Sequence, residues 1–396
     1  MLLSRPVRVL LGSVGFGLLL LVAVAALLGD NSPTDNIAPT FVYVVFWLGV
    51  VALVVAFGNV WSWLNPWRAA ADAVAWLAAR ARFDWEPPFQ YRASWGRRPA
   101  VFLLASFAAL ELAYIEPANP RSLALAIYVY SALTWFGMLA FGRRVWLENG
   151  EAFTVYFGFL ARLSPFALVA DGDRRRLVVR PALLSVSTRD FRPGTVAFVA
   201  VMLGSVAFDG FSRTGWWVDR RYEVTTRLGG DSPHVADVVV TVFNLLGLIA
   251  MITVVALAYT LAVRAAERLS ARQNLTGHFL ASLVPIALAY AVAHYFSLLF
   301  YQGQAEFALA SDPLGRGWNL FGTSDYLPNF GALSANFIWY VQVAALVVGH
   351  VAGLVIAHDR AVSMVGSPRL AVATQYPMLM LMVLYTIGGL WLLSAG

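Results

Sequence analysis

Five polar residues sit where polar residues are costly. Glu111, Asp209, His294, Asn244 and Gln342 all fall inside long apolar stretches. An ionisable group in hydrocarbon costs at least about 2.5–3.5 kcal/mol unless it is paired or hydrated. Two carboxylates and an imidazole can do two kinds of chemistry. They can ligate a divalent metal through carboxylate oxygens and a neutral ring nitrogen. They can also pass protons, because burial brings carboxyl and imidazole titrations closer together. At about 1.5 Å of rise per residue, Glu111, Asp209 and His294 lie roughly 18, 21 and 22 Å from the inner edge of their spans. Asn244 and Gln342 enter from the other side, to depths of roughly 10 and 9 Å. All five are thus expected in the outer half of a membrane, with Glu111, Asp209 and His294 converging in one cavity as a candidate divalent-metal site. Tyr290, His294, Ser297 and Tyr301 share one helical stripe, which supplies hydroxyl neighbours for the imidazole. Asn244 and Gln342 also read as interhelical hydrogen-bond glue.

A second polar layer lies nearer the inner side. It contains His350, His358 with Asp359 and Arg360, and Gln375 with Tyr376. Gly349 and Gly353 form a GxxxG pair beside His350, which permits close helix packing. His350 is therefore expected to face protein, against the last span near Gln375 or Tyr376. A bis-histidine haem between His294 and His350 is disfavoured, because their heights differ by roughly 9 Å along the normal.

These residues need helices to hold them. The chain of 396 residues is 60% hydrophobic and only 13% charged. Soluble domains carry nearer 25% charged residues, so the composition indicates a polytopic membrane protein. Runs long enough to cross about 30 Å of hydrocarbon occur at 9–28, 39–57, 99–116, 122–141, 195–212, 237–262, 279–301, 336–357 and 371–394. The expected fold is all-α: one membrane domain over 1–396, a bundle of about nine transmembrane helices plus short interfacial helices. The absence of cysteine removes disulfide and thiolate chemistry. No HExxH, GxSxG, Walker or HxH motif is present.

Every one of the 28 basic residues is Arg. With the N-terminus cytoplasmic, 22 fall in inner segments and six outside. This bias predicts a plasma-membrane protein with its N-terminus in and its C-terminus out. It also explains the net charge of +6 without a nucleic-acid partner. The first span reads as a retained anchor rather than a cleaved signal peptide.

Between the spans, residues 65–82 read as a cytoplasmic interfacial helix, with Asn65 as N-cap and Pro66 at its first position. The stretch 151–166 is expected on the same surface. The basic segment 142–194 is expected to be cytoplasmic, with Arg174, Arg175 and Arg176 placed to touch anionic lipid. The segment 213–236 is expected outside. The loop 302–335 is also expected outside, reaching over the outer cavity.

Seven stretches carry a family resemblance: NIAPTFVYVVFW (36–47), NPWRA (65–69), FDGFS (208–212), SLVPIALAYAVAHYFSLLFYQGQ (282–304), SDPLGRGWNLFGT (311–323), IWYVQVAALVVGHVAGLVIAHDRA (338–361) and TQYPML (374–379). Together they resemble actinobacterial integral membrane proteins labelled fenitrothion hydrolase or hypothetical membrane protein. The resemblance implies a polytopic helical fold and hydrolysis of an organophosphate triester by metal-activated water, with Asp209 and His294, which lie inside matching stretches, and Glu111 as candidate ligands. Three functions stay open from the residues themselves: a metal-assisted membrane hydrolase, a transporter or channel using the buried polar groups, and a non-catalytic accessory or assembly protein.

Overall fold

The computed structural model describes all residues except 1–4, 84, 172–173, 181–190, 271–274, 365–367 and 396. The fold is all-α and polytopic, with a single two-stranded hairpin among the described residues. Eight helices are long and apolar enough to cross a membrane by length and composition. The described chain divides into two compact units. One comprises 1–103, 118–182 and 297–332, and the other 104–117, 183–296 and 333–396.

The first unit begins with α1 (Arg5–Leu28) and α2 (Ile37–Phe57). Asn36 caps α2 by accepting from the Ala38 N–H, and residues Phe41–Gly49 wind as a π-helix. After the short α3 (Trp61–Leu64) comes α4 (Pro66–Arg80), then α5 (Arg98–Leu112), which passes into the second unit. α6 (Pro120–Phe141) is capped by Asn119, with Pro120 at its first position. Val22 and Ala26 of α1 pack with Ala38 and with Ala124 of α6. Arg121 donates to the Ala26 and Gly29 carbonyls. The start of α6 therefore lies beside the end of α1. At the far end of α6, Trp85 donates to the Leu139 carbonyl and Trp95 packs edge-on against Phe141. Between Trp95 and Asn119 the chain forms α5. At 15 residues it rises only about 22 Å. This is why the third of the nine expected spans does not qualify by length.

The expected interfacial helix is buried only at its start, while Val74, Trp76 and Leu77 farther along it are exposed. Trp67, at the start of α4, donates its indole N–H to Ser131 Oγ at 2.9 Å, and Trp135 donates to the Trp67 carbonyl. Ser131 is midway along α6. On α1, a Cβ at Gly15 would fall 1.8 Å from the Leu64 carbonyl oxygen, so the two backbones touch. α4 thus begins beside the middle of α6, and halfway along α4 Asp72 meets Arg143, just past the end of α6, at 2.6 Å.

A second inward excursion follows α6. Gly142 reverses the chain at φ 92°, a conformation that favours glycine. α7 (Arg143–Asn149) runs back so that the Trp146 ring fills the space beside Gly137, where a Cβ would lie 2.2 Å from it. α8 (Ala152–Leu160) then returns, and Gly58, at the end of α2, lies against the Phe166 carbonyl. β1 (Phe166–Asp171) pairs antiparallel with β2 (Arg174–Val179). The expected surface helix at 151–166 is therefore packed inside the unit, and part of the basic segment 142–194 is a hairpin. The side chains of Arg174, Arg175 and Arg176 lie outside the described residues, and with them their expected lipid contact.

The second unit contains α9 (Thr195–Ser212), α10 (Gly215–Leu228), α11 (Pro233–Ser270), most of α12 (Thr276–Ser311), α13 (Ala335–Met364) and α14 (Pro368–Ala395). α10 occupies part of the expected outer loop 213–236, and Thr214 caps it. Its Trp217 packs with Phe208 and Leu248. Small residues set the close crossings. A Cβ on Gly204 would lie 2.7 Å from Ile252 Cα, and one on Gly349 would lie 2.2 Å from Ala289 Cβ. The GxxxG pair of α13 therefore packs on α12 rather than on α14. α12 continues ten residues past its expected end, to Ser311, so the loop proper starts at Asp312.

Candidate functional site

Asp209 lies one turn from the end of α9 and is 5% exposed. Its two oxygens have different partners. Oδ1 accepts from Nε and Nη2 of Arg213, at 3.2 and 3.0 Å. Oδ2 stands 2.8 Å from His294 Nε2 on α12. That ring nitrogen is at ion-pair distance from the oxygen. The contact gains most when the ring is charged. The Tyr295 hydroxyl also reaches the carboxylate. Glu111, on the part of α5 within this unit, is within electrostatic range of both Asp209 and Arg213.

Beside His294 is a narrow crevice lined by Val206, Gly210, Tyr290, Ala293, Leu346 and Gly389, among others. About 10 Å³ of it is open to a water's centre, room for about one water molecule. Gly210 sits 3.8 Å, measured from a Cβ built on it, from His294 Cε1. Tyr290, one turn from His294, donates its hydroxyl to the Tyr385 carbonyl, which closes the crevice toward α14.

The expected outer cluster therefore forms in part. Glu111, Asp209 and His294 do gather, with Arg213 added. Among the described residues, no group of three His, Asp or Glu side chains is placed to hold an ion. Both Asp209 oxygens are engaged, and the neighbouring guanidinium would repel a divalent cation.

Asn244 accepts from the Trp217 indole at 3.2 Å and anchors α10 on α11. Its role is the hydrogen-bond glue of the alternative reading. Gln342 is half-buried on α13 and does not line the crevice. The part of the expected loop before residue 333 belongs to the first unit and makes hydrogen bonds there. Arg316 donates to the Leu28 carbonyl, and Gln304 accepts from Asn329 and Tyr326.

The expected inner layer separates. His350 is buried on α13, with Nδ1 2.7 Å from the Leu346 carbonyl, and its ring lies 6.0 Å from that of Tyr290 on α12. This overturns the expected packing of His350 against Gln375 or Tyr376. The reason is the GxxxG face, which turns that side of α13 toward α12. His358 takes the Gln375 contact instead, at 2.8 Å, and Tyr376 is exposed.

The first unit holds a buried carboxylate that the sequence reading missed. Glu151 is 0% exposed and caps α8, accepting from the Phe153 and Thr154 N–H groups at 2.9 and 2.8 Å. It also accepts from Tyr130 at 2.5 Å, from Asn65 Nδ2 at 3.2 Å, and from the Thr154 hydroxyl. Asn65 in turn caps α4 through Oδ1. Two helix N-termini thus meet on one carboxyl group. The signal available in the sequence was Asn-Pro at 65–66, together with a lone Glu directly before an apolar nine-residue run.

No family model, curated protein or solved structure matches this chain.

Proposed function

We propose that this multi-pass membrane protein is a proton-linked transporter in which His294 takes up and releases the proton and Asp209 holds the charged imidazole. The observation that carries this reading is the 2.8 Å approach of His294 Nε2 to a nearly fully buried Asp209 carboxylate, beside a crevice with room for about one water. Histidine is the side chain whose ordinary titration spans physiological pH, at about 6.5. The carboxylate 2.8 Å away is placed to pair with the ring when it is charged, and a water in the crevice would offer a route for the proton.

Two features favour transport over triester hydrolysis. The crevice is far smaller than an organophosphate triester, and the donor set does not suit a divalent metal. In addition, the first unit carries helices that start and stop inside the bundle, at Asn65 and Glu151, a device common in transporters.

Purified protein reconstituted into vesicles containing a pH-sensitive dye tests the reading. An imposed pH gradient should dissipate faster than in empty vesicles, and His294→Gln should remove at least nine-tenths of that excess. Dissipation unchanged in His294→Gln would refute it.

A further inference from the structure

We infer that Arg213 is the receiving arm of a site for a small monocarboxylate, opened when His294 is protonated. This rests on the proton-exchange reading of His294. The geometry is a three-way competition. Asp209 carries one negative charge and has two nitrogen-bearing neighbours, one on each oxygen. While His294 is neutral, Arg213 is the one cation on the carboxylate among the described residues. Once His294 is charged, the single carboxylate is shared between two cations, and one positive charge is left over.

Arg213 is the partner free to leave. Its side chain is 61% exposed while that of His294 is 15% exposed. Both of its contacts fall on one oxygen, so its fork is not used in the two-oxygen grip that best fits a carboxylate. The charged and titratable groups facing the pair are Glu111 from α5, and His294 and Tyr295 from α12. The elements packed nearby contribute uncharged groups: Phe243, Asn244 and Leu248 from α11, and Gly389 and Leu392 from α14.

Charge balance selects the ligand class. One proton on His294 adds one positive charge, and one monovalent anion on Arg213 cancels it. Proton and anion therefore load together with no net change, which favours a monoanion over phosphate. The planar guanidinium favours a carboxylate over a spherical halide.

Formate is the probe, because it stays anionic across the range tested. Its binding to the full-length protein in detergent is measured calorimetrically at pH 5.5 and pH 8, at constant ionic strength, with chloride as competitor. Wild type should bind formate at least tenfold tighter at pH 5.5. Asp209→Asn, with Arg213 released at both pH values, should bind with less than threefold pH dependence. Arg213→Gln should lose at least tenfold at pH 5.5, and Arg213→Lys, which keeps the charge but not the fork, should fall between. Each variant is first checked for a wild-type elution profile, and Arg213→Lys carries the test if Arg213→Gln does not pass. The site is overturned if Asp209→Asn keeps the wild-type pH dependence, if the Arg213 variants bind as wild type, or if chloride competes as well as formate. Absence of formate binding in wild type also overturns it, while leaving proton flux through His294 to stand or fall on the vesicle assay.

Discussion

Tyr130 and Glu151 meet at 2.5 Å, with the phenol donating to a carboxylate that no solvent reaches. Tyr130 stands at the midpoint of α6, so the cap of α8 is set in the centre of the first unit. Every hydrogen-bonding oxygen of Glu151 is used, and the two helices that begin there depend on it.

Removing that carboxylate should therefore be expensive. Glu151→Ala leaves five donors without their acceptor, two of them backbone N–H groups. A loss of about 3–5 kcal/mol is expected. Glu151→Gln keeps the volume and one acceptor oxygen and should lose less. Thermal unfolding in detergent ranks the two, and equal stability of wild type and Glu151→Ala would contradict the keystone role.

Close helix crossings give a second expectation. Gly137→Ala and Gly349→Ala each place a Cβ 2.2 Å from a neighbouring side-chain atom, and should cost about 1–3 kcal/mol. Gly17 and Gly388 have nothing within 4 Å of an added Cβ, so alanine there should be neutral or slightly stabilising. The same unfolding assay separates the two pairs.

The Arg bias makes a topological prediction. Arg144 and Asp325 are both exposed in the first unit, and the chain contains no cysteine. Arg144→Cys should react with an impermeant thiol reagent only after cells are opened, and Asp325→Cys in intact cells. The reverse pattern would invert the orientation.

The long apolar helices were readable because 18 or more apolar residues in a row have few other uses. Asp209 and His294 were readable for the same reason: a charge inside such a run must be explained. Arg213 was not, because it falls just beyond the run and counts equally well as a topology signal. α7 was not readable, and α4 and α8, though legible as helices, were not legible as helices whose starts are enclosed. Each is short, and its polar cap resembles a surface loop until the partner across the bundle is known. Asn65 and Glu151 are far apart in the sequence, and only the fold brings them together. α10 was hidden by its polar composition, although Thr214 and Trp217 supply its cap and its anchor.

The central claim is that His294 exchanges a proton against Asp209. Nitrogen-15 NMR of histidine-labelled protein measures this directly, since the chain has five histidines and His294→Gln identifies the signal. The account predicts that this ring passes between neutral and charged forms as pH is taken from 8 to 5, and that Asp209→Asn displaces the midpoint by at least half a unit. A His294 signal that keeps one form throughout, or a midpoint indifferent to Asp209→Asn, would contradict it.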